Sequence, residues 1–340
     1  MEFDKIIITN LPAFYKVNLF NEISKTQKVF VIFTGNTAEL RNEDFFKKEL
    51  IKFKFVDLKN KSSVQQFAFL LKLIVFSKYK ELILGGWDEP LLWFASLLSA
   101  KRKNSIIVES SIYESKTEGF KAFIKKLVLN RVNRAYASGE AQMKLLKALN
   151  FNHEIKKTKG VGLFNIKCQP YFQERTIVKN FLYVGRLSPE KNLLNLIQVF
   201  NSFPNLNLHI IGFGPQEKDL KNIALENVKF HGAISNVDLY KFYQNYDVFI
   251  LPSLIEPWGL VVEEALNNGM PVIVSEKVGC SDEIVVNDFN GLIFNLENQN
   301  SLLISIKKMT DKDYYNNLRK NVSEMDFYNI AEEQVKVYLA

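Results

Sequence analysis

Short strand-like apolar runs alternate with helical runs along the whole chain, and then the alternation restarts. In the first half the strand-like runs cover residues 5–9, 29–33, 53–57, 81–84, 105–108 and 134–137. Helical runs lie between them, for example at 64–76, 91–100 and 140–149. Such alternation is the signature of parallel sheets joined by crossover helices. It resumes at 181–184 after a mixed connector, 159–179, containing Gly160, Gly162 and Pro170. A chain of 340 residues is long enough for two domains with full cores. The expected division is a first domain over 1–165, a second over 166–324 and a terminal helix over 325–340.

Composition bounds the class. With 47% apolar and 24% charged residues, the chain is globular rather than disordered. The longest apolar runs, such as 91–100, fall short of the ~20 residues of a membrane span. The N-terminus enters a strand-like run at once, without signal-peptide organisation, so a cytoplasmic address is expected. Cys168 and Cys280 are far apart and outside any metal-ligand spacing, so neither a disulfide framework nor a zinc site is expected.

Charge is unevenly divided. Residues 1–165 hold 28 Lys and Arg against 16 Asp and Glu, net +12, whereas the remainder is net −5. Much of the excess lies in a basic amphipathic segment, 117–134. There Phe120, Phe123, Ile124, Leu127, Val128 and Val132 recur at helical spacing among Lys121, Lys125, Lys126, Arg131 and Arg134. This pattern suits either an anionic membrane surface or a core-facing helix with a solvated lysine face. No nucleic-acid-binding motif accompanies the charge, and no nucleic-acid partner is expected.

The stretch 252–271, PSLIEPWGLVVEEALNNGMP, carries the clearest chemistry. It follows the strand-like run 247–251, and Pro257 and Gly259 break the chain before a helix with apolar Leu260, Val261, Ala265 and Leu266. Glu256 is thus placed in a loop at a strand's C-terminal end and Glu264 about one turn into the helix. In a doubly wound sheet that is the ligand crevice. The N–H groups of Gly259 to Val262 form a candidate anion site, flanked by two acceptors suited to hydroxyls. A ligand with both phosphate and sugar hydroxyls fits. The ordinary alternative is a loop carboxylate and a helix-surface one. A glycosidase pair fits less well: eight helical positions span roughly 12 Å, against ~5 to 9.5 Å for hydrolase carboxyl pairs.

At these residues the chain resembles the retaining nucleotide-sugar glycosyltransferases of family 4. Glu256 and Glu264 match the family's E-x7-E element. FLYVGRLSPEKNL at 181–193, IIGFGP at 210–215 and NVKFHGAI at 227–234 match further elements in the same order. The resemblance implies the GT-B fold, two Rossmann-like parallel-sheet domains facing a central cleft. It implies that Arg186 and Lys191 hold the donor diphosphate and act catalytically with Glu256, which meets the donor sugar, while Glu264 meets the ribose. Gly185, Gly212, Gly214, Gly232, Ala233 and Ile234, with Trp258, Gly259, Leu260 and Val261, complete the implied donor site. The donor that the resemblance implies is a UDP- or GDP-linked sugar. No cofactor and no metal are expected, because two cations and a helix N-terminus serve the diphosphate.

Other motifs are weaker. Gly212-Phe213-Gly214-Pro215 lacks the third glycine of a dinucleotide fingerprint, which disfavours a dehydrogenase. Asp311-Lys312-Asp313 reads as helix capping rather than a metal motif. His209 reads as a core residue and His231 stays unassigned. In the first domain the segment 10–20 replaces the family's glycine-rich loop, and IIVESS at 106–111 replaces its histidine. Lys16, Glu109 and Ser110 are therefore the acceptor-side candidates, with Trp87 as an aromatic face for a sugar ring.

The expected activity is sugar transfer, with retention, to a hydroxyl of a glycan or lipid-linked acceptor in bacterial envelope polysaccharide or glycolipid assembly. Attachment to the inner face of the membrane through 117–134 is part of that expectation. A noncatalytic nucleotide-sugar-binding partner and an epimerase of related architecture are the alternatives.

Overall fold

A computed structural model describes residues 1–35, 46, 48–166 and 169–340; Cys168 lies outside them. The chain divides into two compact units, Met1–Leu163 with Ala331–Ala340, and Phe164–Ile330.

The first unit is built on seven parallel strands, β1 (Glu2–Thr9), β2 (Val29–Phe33), β3 (Lys54–Asp57), β4 (Lys78–Leu84), β5 (Asn104–Val108), β6 (Arg134–Ala137) and β7 (Glu154–Lys157). Their order is β3-β2-β1-β4-β5-β6-β7. Among the described residues its α-helices are α1 (Phe14–Ser24), α2 (Ser63–Phe76), α3 (Pro90–Leu98), α4 (Gly119–Leu129) and α5 (Glu140–Ala148). The apolar run of β1 has both faces buried, as a central parallel strand must. Ile6 and Ile8 join a core with α2 to α5, while Ile7 joins one with Val17 and Phe20 of α1. Strand β7, EIKK, has no apolar run to announce it. It is the sheet's edge, where charged side chains are tolerated and block further pairing.

The second unit holds β8 (Asn180–Val184), β9 (Asn207–Ile211), β10 (Val228–Gly232), β11 (Val248–Leu251), β12 (Val272–Ser275) and β13 (Gly291–Phe294), in the order β10-β9-β8-β11-β12-β13. Its helices are α6 (Leu193–Asn201), α7 (Glu217–Ile223), α8 (Leu239–Asn245), α9 (Leu260–Asn267), α10 (Ser281–Ile284), α11 (Ser301–Met309) and α12 (Lys312–Ser323). Asp311 caps α12 by accepting from the Tyr314 N–H at 2.8 Å, the capping role expected of this D-x-D. Both sheets reverse strand order once, between β1 and β4 and between β8 and β11. Ligands of open α/β sheets bind beyond the strand ends at such reversals.

A last helix, α13 (Phe327–Leu339), ends within the first unit, where Tyr338 stacks on Tyr136 of β6 with ring centroids 4.5 Å apart. Among the described residues no helix is long and apolar enough to cross a membrane.

The basic segment differs from its expected form. Helix α4 stops at Leu129, so Arg131 and Arg134 lie outside it; Arg134 belongs to β6 and pairs with Glu154 at 2.7 Å. Only Ala122, Val128 and Leu129 of α4 are buried. Phe120, Phe123 and Leu127 face outward, 78%, 55% and 48% exposed, between the lysines.

Candidate functional site

The site grows from the ends of β8 and β11. After β8 the chain passes Gly185 and Arg186 into a 3-10 turn, Pro189–Lys191, and Asn192 takes a left-handed conformation (φ 59°) before α6. After β11 it runs through Ser253 and Glu256 to Gly259, also left-handed (φ 98°), which opens α9. Two hydrogen bonds stitch these loops together, Leu254 N–H to Glu190 O at 2.8 Å and Asn192 Nδ2 to Pro252 O at 3.2 Å.

Across this seam Lys191 forms an ion pair with Glu256. The resemblance gives Lys191 to a phosphate and Glu256 to a sugar, whereas in the structure they satisfy each other. The cause is burial: Lys191 is only 9% exposed, and an ammonium that far from water needs a counter-ion. Arg186, more open, has Glu190 beside it at 3.4 Å. Its backbone carbonyl accepts from the buried Tyr183 hydroxyl at 2.8 Å.

Gly212 and Gly214 are close-packing positions. A Cβ on Gly212 would lie 1.8 Å from Gly185 O, and one on Gly214 2.5 Å from Leu187 O. Both therefore let the loop after β9 press against the loop after β8. Gly232 has φ 68° with open space around the missing Cβ, and Ala233 and Ile234 follow it at the accessible end of β10.

The start of α9 is held from one side by residues 277–280. Glu256 N–H donates to Lys277 O, Gly279 N–H to Glu256 O and Cys280 N–H to Trp258 O, at 3.1, 2.9 and 2.8 Å. Gly279, which is not among the sequence candidates, is a further close approach, where a Cβ would fall 1.9 Å from Pro257 O. The anion site has one N–H fewer than the sequence suggests. Val262 N–H turns back to Gly259 O at 2.9 Å, so among the described residues only the N–H groups of Gly259, Leu260 and Val261 are left without a hydrogen-bond acceptor at the start of α9.

Two carboxyl groups on α9 are shifted in the same direction. Glu264 accepts from the Tyr243 hydroxyl at 3.0 Å, and burial pushes its carboxyl up to about 7. Glu263, 5% exposed, accepts from the indole N–H of Trp258 at 2.8 Å, and burial pushes it up to about 8. Glu263 is not among the sequence candidates. The available signal was an acidic residue on a helix face that otherwise reads as apolar, five positions after a tryptophan.

In the first unit, α1 and the end of β5 bring Lys16 within 2.9 Å of Glu109. Ser110 follows, half-buried. Trp87 corrects its expected role. It is 4% exposed within the core, with the Lys125 ammonium 5.5 Å from its ring centroid, so its face does not serve a sugar. His209 is half-buried rather than a core residue, with its Nδ1 3.0 Å from Nε2 of His231. Among the described residues, no group of three or more His, Cys, Asp or Glu is placed to hold a metal.

Two Rossmann-like parallel-sheet domains in one chain constitute the GT-B fold. HepE of Anabaena, solved with UDP and glucose, superposes with a TM-score of 0.75 over 99% of each chain at 14% identity. Residues 172–325, which contain all of the donor-side candidates, match the model of the family described as glycosyl transferases group 1. An uncharacterised glycosyltransferase of Methanocaldococcus jannaschii is 33% identical over 174 residues, 47% of this chain and 44% of that one. A galactosyltransferase of Escherichia coli named for UDP-Gal and GlcNAc-diphosphoundecaprenol is 29% identical over 169 residues, 46% and 43% of the two chains. The similarity thus spans less than half the length of these relatives.

Proposed function

We propose that the protein is a retaining glycosyltransferase that moves a sugar from a nucleoside-diphosphate sugar to a hydroxyl acceptor. The Lys191–Glu256 pair at the strand-order reversal carries this reading, beside an α9 N-terminus with three unused N–H groups. Breaking the bond from the anomeric carbon to the diphosphate places negative charge on the leaving group. Preorganised donors aimed at that charge are the largest help an enzyme gives. An incoming diphosphate draws Lys191 and Arg186 from their glutamates and takes the N–H groups of Gly259 to Val261. Glu256, released from Lys191, then accepts from hydroxyls of the donor sugar.

Glu264 is the acceptor for the ribose, and Gly232, Ala233 and Ile234 offer backbone groups to the base. The departing phosphate takes the acceptor's proton on the face it leaves, which accounts for retention without a covalent intermediate. The likenesses to proteins named for UDP support a UDP-linked donor, with a GDP-linked one as the comparison. On the acceptor side, Lys16 and Glu109 orient the attacking hydroxyl. The assay is a panel of UDP- and GDP-sugars scored by nucleotide released in the presence of acceptor glycans. Release from none of them overturns the reading. With cations and a helix N-terminus serving the diphosphate, transfer is expected to persist in EDTA. Loss on chelation, restored by manganese or magnesium, would count against it.

The acceptor in this reading is lipid-linked, in envelope polysaccharide or glycolipid assembly. The support is the net +12 of residues 1–165 and the outward Phe120, Phe123 and Leu127 between Lys121, Lys125 and Lys126 on α4. Each surface cation near an anionic leaflet contributes about 1 kcal/mol. Sedimentation with anionic vesicles should therefore rise with anionic lipid, fall with salt and drop when the three lysines become Glu. No sedimentation at low salt would leave a soluble acceptor.

A further inference from the structure

Glu263 has no place in the transfer chemistry described above, yet it is the most enclosed carboxyl of the donor site. It sits on α9 with Val262, Ala265 and Leu266 buried around it in sequence. The charged groups next to it offer no relief. Glu264 is its neighbour, the buried Cys280 thiol lies close, and no cation pairs with it among the described residues. Burial accordingly holds it protonated at neutral pH. A carboxyl kept in such a place is costly relative to leucine, so what it does there is informative.

Its one recorded partner is the Trp258 indole, 3% exposed, which donates to it at 2.8 Å. Trp258 is the residue between Pro257 and Gly259. One side of it holds Glu256, and the other opens the N–H groups of α9. Its carbonyl is already bound by Cys280 N–H. The loop is therefore fixed from both sides, by residues 277–280 through the backbone and by α9 itself through the indole.

We infer that Glu263 is a positioning residue, a tether from α9 to Trp258 that holds Glu256 and the first N–H groups of α9 in register for a nucleoside diphosphate. This rests on the donor-site reading given above. A purely structural carboxyl and a positioning one differ in what leucine does. Leucine fills the same apolar surroundings without the desolvation cost, so the fold keeps or gains stability. It accepts no hydrogen bond, so the tether is gone.

The test compares Glu263→Gln, Glu263→Leu and Trp258→Phe with the unaltered protein. Nucleotide affinity is measured by calorimetry with UDP and with GDP, stability by thermal unfolding, and turnover with the donor sugar that the panel identifies. Glu263→Gln, whose amide oxygen still accepts from the indole, should bind within about twofold of the parent. Glu263→Leu should unfold at the same temperature or higher, yet bind about tenfold more weakly, the equivalent of about 1.4 kcal/mol. Its donor KM should rise more than its kcat falls. Trp258→Phe should weaken binding similarly and make a further Glu263→Leu change nearly silent. Equal binding by the parent and Glu263→Leu overturns the tether and leaves the donor site standing. A parent that binds neither nucleotide overturns the donor site, and the tether with it.

Discussion

Replacing Lys191 with alanine is expected to lower kcat/KM for the nucleotide sugar by about 10²- to 10³-fold, a loss of roughly 3 to 4 kcal/mol of transition-state stabilisation. Two effects combine. The leaving diphosphate loses a charge that the fold holds ready in a largely dry place, since Lys191 is 9% exposed. In addition, Glu256 loses its counter-ion and remains beside a buried loop, where an unpaired carboxylate costs about 1 to 3 kcal/mol. The second effect makes the variant measurably less heat-stable; the first does not. Steady-state kinetics alongside thermal unfolding separates them, and Lys191→Ala combined with Glu256→Gln should recover stability without recovering turnover. Wild-type kcat/KM in the single variant would remove Lys191 from the donor site.

The second large effect is expected at Gly212, where no catalytic group is involved. A methyl there would sit 1.8 Å from Gly185 O, with a backbone φ of 135° that side-chain-bearing residues rarely adopt. Neither strand end can yield easily, because Gly185 N–H is bound to Ile211 O at 3.0 Å and Gly212 N–H to Gly232 O at 2.8 Å. Gly212→Ala should therefore destabilise the protein by about 3 kcal/mol or more. Gly232→Ala is the matched control. Its φ of 68° carries the left-handed cost of about 1 to 2 kcal/mol, but open space surrounds the added methyl. Equal melting temperatures for the two variants would show that the close approach at Gly212 relaxes.

The elements that local patterning encodes were legible in the sequence. The apolar run at 247–251 followed by Pro257, Gly259 and a helical repeat could form little other than β11, a loop and α9. Repetition of that pattern made two parallel-sheet domains readable before any contact was known. What escaped depends on partners distant in sequence or on exceptions to pattern. Lys191 and Glu256 lie 65 positions apart, and nothing near either one signals that burial joins them. Trp87 reads in the sequence as an aromatic face for a sugar ring because the residues that bury it come from elsewhere in the first-unit core. Strand β7 was missed because an edge strand of Glu, Ile and two Lys has no apolar alternation. Glu263 was passed over because a glutamate in a helix is ordinarily solvated, and only the tertiary structure reveals where its side chain goes.

The last helix has a consequence for how the protein is made. Tyr338 and its neighbours Ala331, Val335, Val337 and Leu339 pack into the same core as Ile7, Phe20 and Tyr136. The strands of the first unit are complete by Lys157, but this part of their core arrives only after the entire second unit has been translated. At about 5–20 residues per second, that interval is roughly nine to thirty-five seconds. Until the last helix is made, the core around Tyr136 lacks the packing that Tyr338 and Val335 supply in the folded chain. The second unit, by contrast, is contiguous from Phe164 to Ile330 and takes no part of itself from beyond that stretch.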